Sequence, residues 1–145
     1  MILFSSALEL AVNNITIMNN LIVDAANNKI FLTFIDGKNI YTCSHENSKI
    51  NFEKLMILIN VFLKNNKNSL DNIDAIYVNR GPGSFAGIRN SLATIKALFL
   101  TKKIDYYCFS FEDFNGFNAI KYKDIPILCE KFKVKKNLIN PIYIS

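Results

Sequence analysis

The residue types best placed to do chemistry crowd into one stretch, Asn79-Arg80-Gly81-Pro82-Gly83-Ser84-Phe85-Ala86-Gly87-Ile88-Arg89. Two glycines around a proline permit a tight turn and let a second backbone segment come close. Ser84 is a good helix N-cap, and a helix start with open N–H groups attracts anions. A phosphate cradle and a rigid structural corner both fit these residues. The familiar catalytic patterns do not: no Lys-Ser or Lys-Thr follows, and Gly87 falls one place late for G-x-G-x-x-G. Pro82 and Ala86 stand where a G-x-S-x-G elbow has its glycines. Arg80 and Arg89 are the only arginines of a chain that otherwise uses lysine, and both flank the turn. That placement asks for a planar, multi-donor group.

Elsewhere the chemistry is sparse. His45, the one histidine, stands before an expected helix and reads as a cap or surface group. Cys43, Cys108 and Cys129 are far apart, with no C-x-x-C pair, so neither a zinc site nor a disulfide framework is expected. A reducing cytosol is the natural compartment. Asp24 ends an apolar run and reads as a turn residue capping its own backbone. No catalytic residue, metal ligand or cofactor is assigned.

The elements that hold the motif follow from period and punctuation. Leu21 to Val23 and Ile30 to Ile35 read as strands, Asp36-Gly37 signals a two-residue hairpin, and Asn39 to Cys43 pairs back. Ile50, Phe52, Leu55, Met56, Ile59, Phe62 and Leu63 recur at helical spacing behind Ser48 or Asn51 as N-cap, predicting one helix over 50–64. Ala75 to Val78 is a fourth strand leading into the glycine turn. Phe85, Ile88, Leu92, Ile95 and Phe99 continue as a second helix. Ile104 to Phe109 is a fifth strand, residues 111–117 a short helix or loop, and Ile125 to Cys129 a further strand. The order βββαβαβ predicts an α/β fold, a mixed five-stranded sheet covered by helices, as in the ribonuclease-H-like half-domain of actin-like proteins.

Length and charge set the limits. The 145 residues, 50% hydrophobic and 20% charged, suit one globular domain. The net charge of +5 invites a polyanion partner, but the excess sits in residues 121–145, where six lysines face Asp124 and Glu130. Coding bias towards Lys, Asn, Ile and Phe explains it equally well. Residues 1–17 lack a basic start and a small-residue cleavage site and read as an extension or a start-site artefact, with Met18 the true start. No apolar run approaches a membrane span.

The glycine string resembles the G-P-G-S-F-T-G-L-R motif that identifies the TsaB (YeaZ) family, with Ala86 for the usual Thr and Ile88 for Leu. Asn90-Ser91 stands where an Ile-Gly pair is common. The resemblance runs from about Met18 to Ser110, takes in Asp24 and His45-Glu46, and returns at Pro141-Ile142-Tyr143. It implies an actin-like (ASKHA) half-domain over 18–110, with 111–145 a remnant of a second lobe plus a basic tail. The implied role is a non-catalytic subunit of the machinery that places threonylcarbamoyl on an adenosine beside the tRNA anticodon. Implied partners are a TsaD-like transferase, a second copy of the chain and a TsaE-like ATPase, with tRNA met only through the complex and no membrane. The motif residues carried over are Arg80, Gly81, Pro82, Gly83, Ser84, Phe85, Gly87 and Arg89. The helices of this half-domain are the family's docking surface, so Phe52, Leu55, Met56, Ile59, Phe85, Ile88, Arg89, Leu92, Ile95 and Phe99 are the expected interface.

Two other classes remain to be set against this reading. A TsaD-like enzyme or glycoprotease would need an H-x-x-x-H metal pair, which one histidine cannot supply. An actin-like ATPase or sugar kinase would need a Gly-Thr phosphate loop after Asp24, where this chain has Ala25-Ala26-Asn27-Asn28. An independent RNA-binding module would rest on Lys131-Phe132-Lys133-Val134-Lys135-Lys136, without a known RNA-recognition motif beside it.

Overall fold

A computed structural model describes residues 7–11, which are helical, and residues 18–143. Five strands form one sheet: β1 (Asn19–Asp24), β2 (Lys29–Asp36), β3 (Asn39–Glu46), β4 (Ala75–Asn79) and β5 (Asp105–Phe109). The spatial order is β3-β2-β1-β4-β5. β1, β2 and β3 pair antiparallel, whereas β4 pairs parallel with both β1 and β5. This is the mixed sheet expected from the sequence. The hairpin is displaced by one residue: Asp36 still pairs with Asn39, so Gly37 and Lys38 form the loop. Gly37, at φ 56°, takes the first loop position, where a positive φ favours glycine.

Alternation of side chains divides the core into two layers. Leu21, Val23, Ile76, Val78 and Tyr106 face the helices α1 (Lys49–Glu53), α2 (Leu55–Asn65) and α3 (Phe85–Lys102). Ile22, Tyr77 and Phe109 face the opposite way, onto Phe114 and the helix α4 (Ile125–Lys131). A sheet buried on both faces explains why β1 and β4 read as unbroken apolar runs rather than alternating ones.

The structure corrects two expected elements. The helix expected over 50–64 is broken at Lys54, which leaves helical geometry at φ −101°, ψ 10°, while Phe52 and Leu55 on either side stay in the core. Ser48 is the N-cap, its hydroxyl accepting from the Asn51 N–H at 3.3 Å. Ile125 to Cys129 is helical, not a strand. Pro126 sits in its first turn, where a missing N–H costs nothing, and Ile125, Leu128 and Cys129 point at the sheet with helical spacing. A five-residue apolar run is too short for its period to be read.

Residues 111–143 therefore cover the second face of the sheet. They also strap its β5 edge: the Tyr106 N–H donates to Asn137 Oδ1 at 2.9 Å, and the Asn137 N–H to the Tyr106 carbonyl at 2.8 Å. Helix α3 ends on Lys103 at φ 60°, a left-handed position where a side chain is strained. Lys103 is exposed, so Lys103→Gly is expected to raise stability by about 1 kcal/mol, or about 4 °C in Tm. Calorimetry that showed a lower Tm would contradict this.

Candidate functional site

The glycine turn is a corner clasped from two sides. On one side lies the β1–β2 turn. A Cβ on Gly83 would overlap the Ala26 carbonyl oxygen, and one on Gly87 the Ala25 carbonyl oxygen. The Ser84 N–H donates to the Ala26 carbonyl at 2.7 Å, which fixes the start of α3 against that turn. On the other side runs the segment 140–143. The Ile142 N–H donates to the Arg80 carbonyl at 2.7 Å, Gly83 bridges to Tyr143, and the Phe85 and Tyr143 rings lie 4.7 Å apart. Gly81 is held at φ 107°, and a Cβ there would strike the Ile142 carbonyl.

Those contacts favour the corner over the cradle. The N–H groups of Ser84, Gly87 and Ile88 are used within the corner, on Ala26 O, Ser84 Oγ and Ser84 O, and that of Gly81 on Asn79 Oδ1. That leaves fewer donors at the helix start for a phosphate than an open helix N-terminus offers. The corner's work is to set the direction of α3.

Arg80 locks the corner to the C-terminal segment. Its Nη2 and Nε donate to the two carboxylate oxygens of Asp113 at 2.6 and 3.4 Å, and Nη1 donates to the Asn140 carbonyl at 3.1 Å. The fork geometry is the planar, multi-donor use that an arginine supplies and a lysine does not. Asp113 is held in turn by the Ser110 N–H at 2.8 Å.

Asp24 is more than a turn residue. Its Oδ1 accepts from the Ala26 N–H and from Asn79 Nδ2, each at 3.1 Å, and its Oδ2 from the Tyr122 hydroxyl at 2.6 Å. At 1% exposure the carboxylate is enclosed by these donors. Burial, and then the Asp24 charge, push the Tyr122 hydroxyl well above the usual tyrosine range. Burial pushes Cys108 up to about 11 and raises Cys129 further, so both are inert thiols. Cys43 Sγ lies 3.7 Å from Nε2 of His45, which sits on β3 instead of capping a helix. Among the described residues no group of three or more His, Cys, Asp or Glu could hold a metal ion.

The expected interface residues separate into two sets. Phe52, Leu55, Ile59, Ile88, Leu92 and Ile95 are core: the sheet takes up the helical stripe that the sequence reading offered to a partner. Met56 and Phe99 are half-buried, and Phe85 and Arg89 are exposed. Side chains the sequence reading missed, Ile50, Ile57, Val61 and Leu100, stand outward. A cavity of about 570 Å³ opens between α1 and α3, lined by Lys49, Glu53, Ala86, Arg89 and Ala93 among others. Asn79, Asp113, Tyr122 and Asn140 were also missed as holders of the corner. For Asp113 a local signal existed, the capping pattern Ser110-x-x-Asp113.

Comparison with known proteins finds relatives of this chain. Residues 45–110 match the model of TsaD, the tRNA N6-adenosine threonylcarbamoyltransferase. A tRNA threonylcarbamoyladenosine biosynthesis protein TsaB from Buchnera aphidicola subsp. Baizongia pistaciae is 34% identical over 83 residues, covering 50% of this chain and 38% of that protein. YeaZ from Pseudomonas aeruginosa superposes with a TM-score of 0.60 at 18% identity, over 64% of this chain and 44% of that one. A second structure, described as an uncharacterized protein with similarity to peptidase YeaZ from Pseudomonas aeruginosa, gives the same TM-score and identity over 43% of its length. The chain thus spans less than half the length of the relatives it matches. The structural matches carry the fold alone, an α/β fold with a mixed five-stranded sheet. The glycine motif, the curated relative and the shared fold agree in making this chain similar to TsaB/YeaZ proteins.

Proposed function

We propose that this chain is a partner subunit in tRNA threonylcarbamoyladenosine biosynthesis, binding a TsaD-like transferase and holding it in its competent conformation. The observation that carries the reading is the corner itself, a family motif whose donors are used internally and whose product is a rigidly launched α3. Beside that helix start the cavity between α1 and α3 leaves Arg89 exposed. A helix pair with outward Ile57, Val61, Phe85 and Leu100 suits a helical partner surface. Its effect on the transferase would be a population shift, produced by binding one conformation better than another.

The enclosed Asp24 also supports this reading over a nucleotide-hydrolysing one. Both its oxygens already accept protein donors, from Asn79, Ala26 and Tyr122. Arg89→Ala is expected to weaken binding of the TsaD of the same genome about tenfold with an unchanged melting curve, because an exposed arginine at an interface centre is a common hot spot. Calorimetric titration of the two purified proteins measures it. Equal affinity for wild type and variant would remove the α1–α3 face from the proposal, and failure of the two proteins to co-elute would end it.

A further inference from the structure

We propose that the cavity under the Lys-rich tail is a contact site for the phosphodiester backbone of an RNA strand. The inference rests on the reading of the chain as a tRNA-modification subunit and assigns a site that reading leaves open. The cavity has a volume of about 330 Å³ and is lined by Arg80, Cys108, Asp113, Lys133, Lys135 and Asn140, among others. Three cations thus face one carboxylate. Asp113 is committed, holding the Arg80 fork and the Ser110 N–H. Lys133 and Lys135 are exposed and have no ion-pair partner among the described residues. Arg80 is fixed rather than mobile, and three of its N–H groups are used, on Asp113 and Asn140. A guanidinium carries five, so two remain on a residue that lines the cavity.

Two free ammonium groups above a pre-set arginine suit a phosphate. The aromatic rings favour a strand over a free nucleotide. Phe132 packs on Phe114 and Phe117, with ring centres 5.7 Å away in each case, and Lys131 covers Phe117. Among the described residues lining the cavity Phe132 is the one ring, so no pair sandwiches a base and recognition falls to charge, which a polyanion supplies repeatedly. The local excess of charge in residues 121–145 acts in the same direction.

The test uses the full chain and a labelled, unmodified tRNA transcript, with binding followed by fluorescence anisotropy from 50 to 200 mM salt. Each lost phosphate contact removes about 0.7–0.9 from the slope of log affinity against log salt. K133Q/K135Q is expected to make that slope shallower by about 1.5 and to weaken binding about tenfold at low salt. Lys38→Gln, in the hairpin at the far sheet edge, should leave both unchanged. Neither ATP nor inorganic phosphate should displace the transcript at equal concentration. An unchanged slope in the double variant, absence of tRNA binding by the wild type, or displacement by ATP would each overturn the proposal. Co-elution with the transferase is a separate measurement, so loss of this inference alone would leave the partner reading standing.

Discussion

Gly87→Ala is expected to prevent stable folding, with a loss of about 3 kcal/mol or more, although alanine is the better helix former. The added methyl would overlap the Ala25 carbonyl oxygen and lie 3.0 Å from its carbon. Those are backbone atoms of the β1–β2 turn, which cannot swing aside as a side chain would. Moving α3 outward instead would pull Ile88, Leu92 and Ile95 away from the sheet and break the Ser84–Ala26 hydrogen bond. Gly83→Ala should behave alike, since its methyl would meet the Ala26 carbonyl. Gly37→Asn is the contrast: nothing lies within 4 Å of a Cβ there, and asparagine tolerates the left-handed region, so a cost below about 1 kcal/mol is expected. Circular-dichroism melts of the three variants decide it. A Gly87→Ala protein melting within a few degrees of wild type would show that the helix and the turn are not in contact.

The second large effect lies at Asp24. Asp24→Asn replaces one acceptor oxygen by an NH₂ group: in place of Oδ1 it would face the Ala26 and Asn79 donors, and in place of Oδ2 the Tyr122 hydroxyl, whose proton would then lose its acceptor. A buried donor left unsatisfied costs about 1–3 kcal/mol, so a loss of about 2–3 kcal/mol is expected. Tyr122→Phe removes one donor and leaves the carboxylate two others, for a loss of about 2 kcal/mol. The pH dependence separates this contact from simple packing. The folded protein holds the Tyr122 proton more tightly than the unfolded chain, whose tyrosine titrates near pH 10. Above that pH the unfolded chain binds fewer protons, and stability falls as pH rises. The advantage of wild type over Tyr122→Phe should therefore be full below about pH 10 and shrink above it. Urea melts at pH 8 and pH 11 measure this, and a gap of constant size would show that folding does not raise the Tyr122 pKa.

Much of the fold was legible because its signals are local. Strand alternation, the hairpin glycine, the helical spacing from Phe85 to Phe99 and the strand before the glycine turn each reside in a short window. The corner itself was legible as two alternatives, and only the third dimension chose between them. What decided it was the Ala25-Ala26 turn, more than fifty residues away in sequence, and Tyr143 at the other end. Interface and core could not be told apart for the helical stripe, because one apolar period serves both and the sheet's demand for cover is a global quantity. The helix at Ile125 was missed since a short apolar run fits either period. Tyr122 was missed because no spacing rule connects residue 24 to 122, and the Ser110-x-x-Asp113 pattern places Asp113 in a cap without connecting it to residue 80.

Tyr122 reaches Asp24 across 98 residues, and that separation has a consequence for biosynthesis. During synthesis β1 leaves the ribosome early with its carboxylate still hydrated, while the group that encloses it has yet to be made. Strand β1 cannot reach its final environment until residue 122 is available, so a segment made 98 residues later acts as its seal. Closing so long a loop is slow compared with forming the β1–β3 meander. A nascent chain halted before residue 122 would show Asp24 to the solvent, and with it one uncovered face of a hydrophobic sheet that chaperones can recognise.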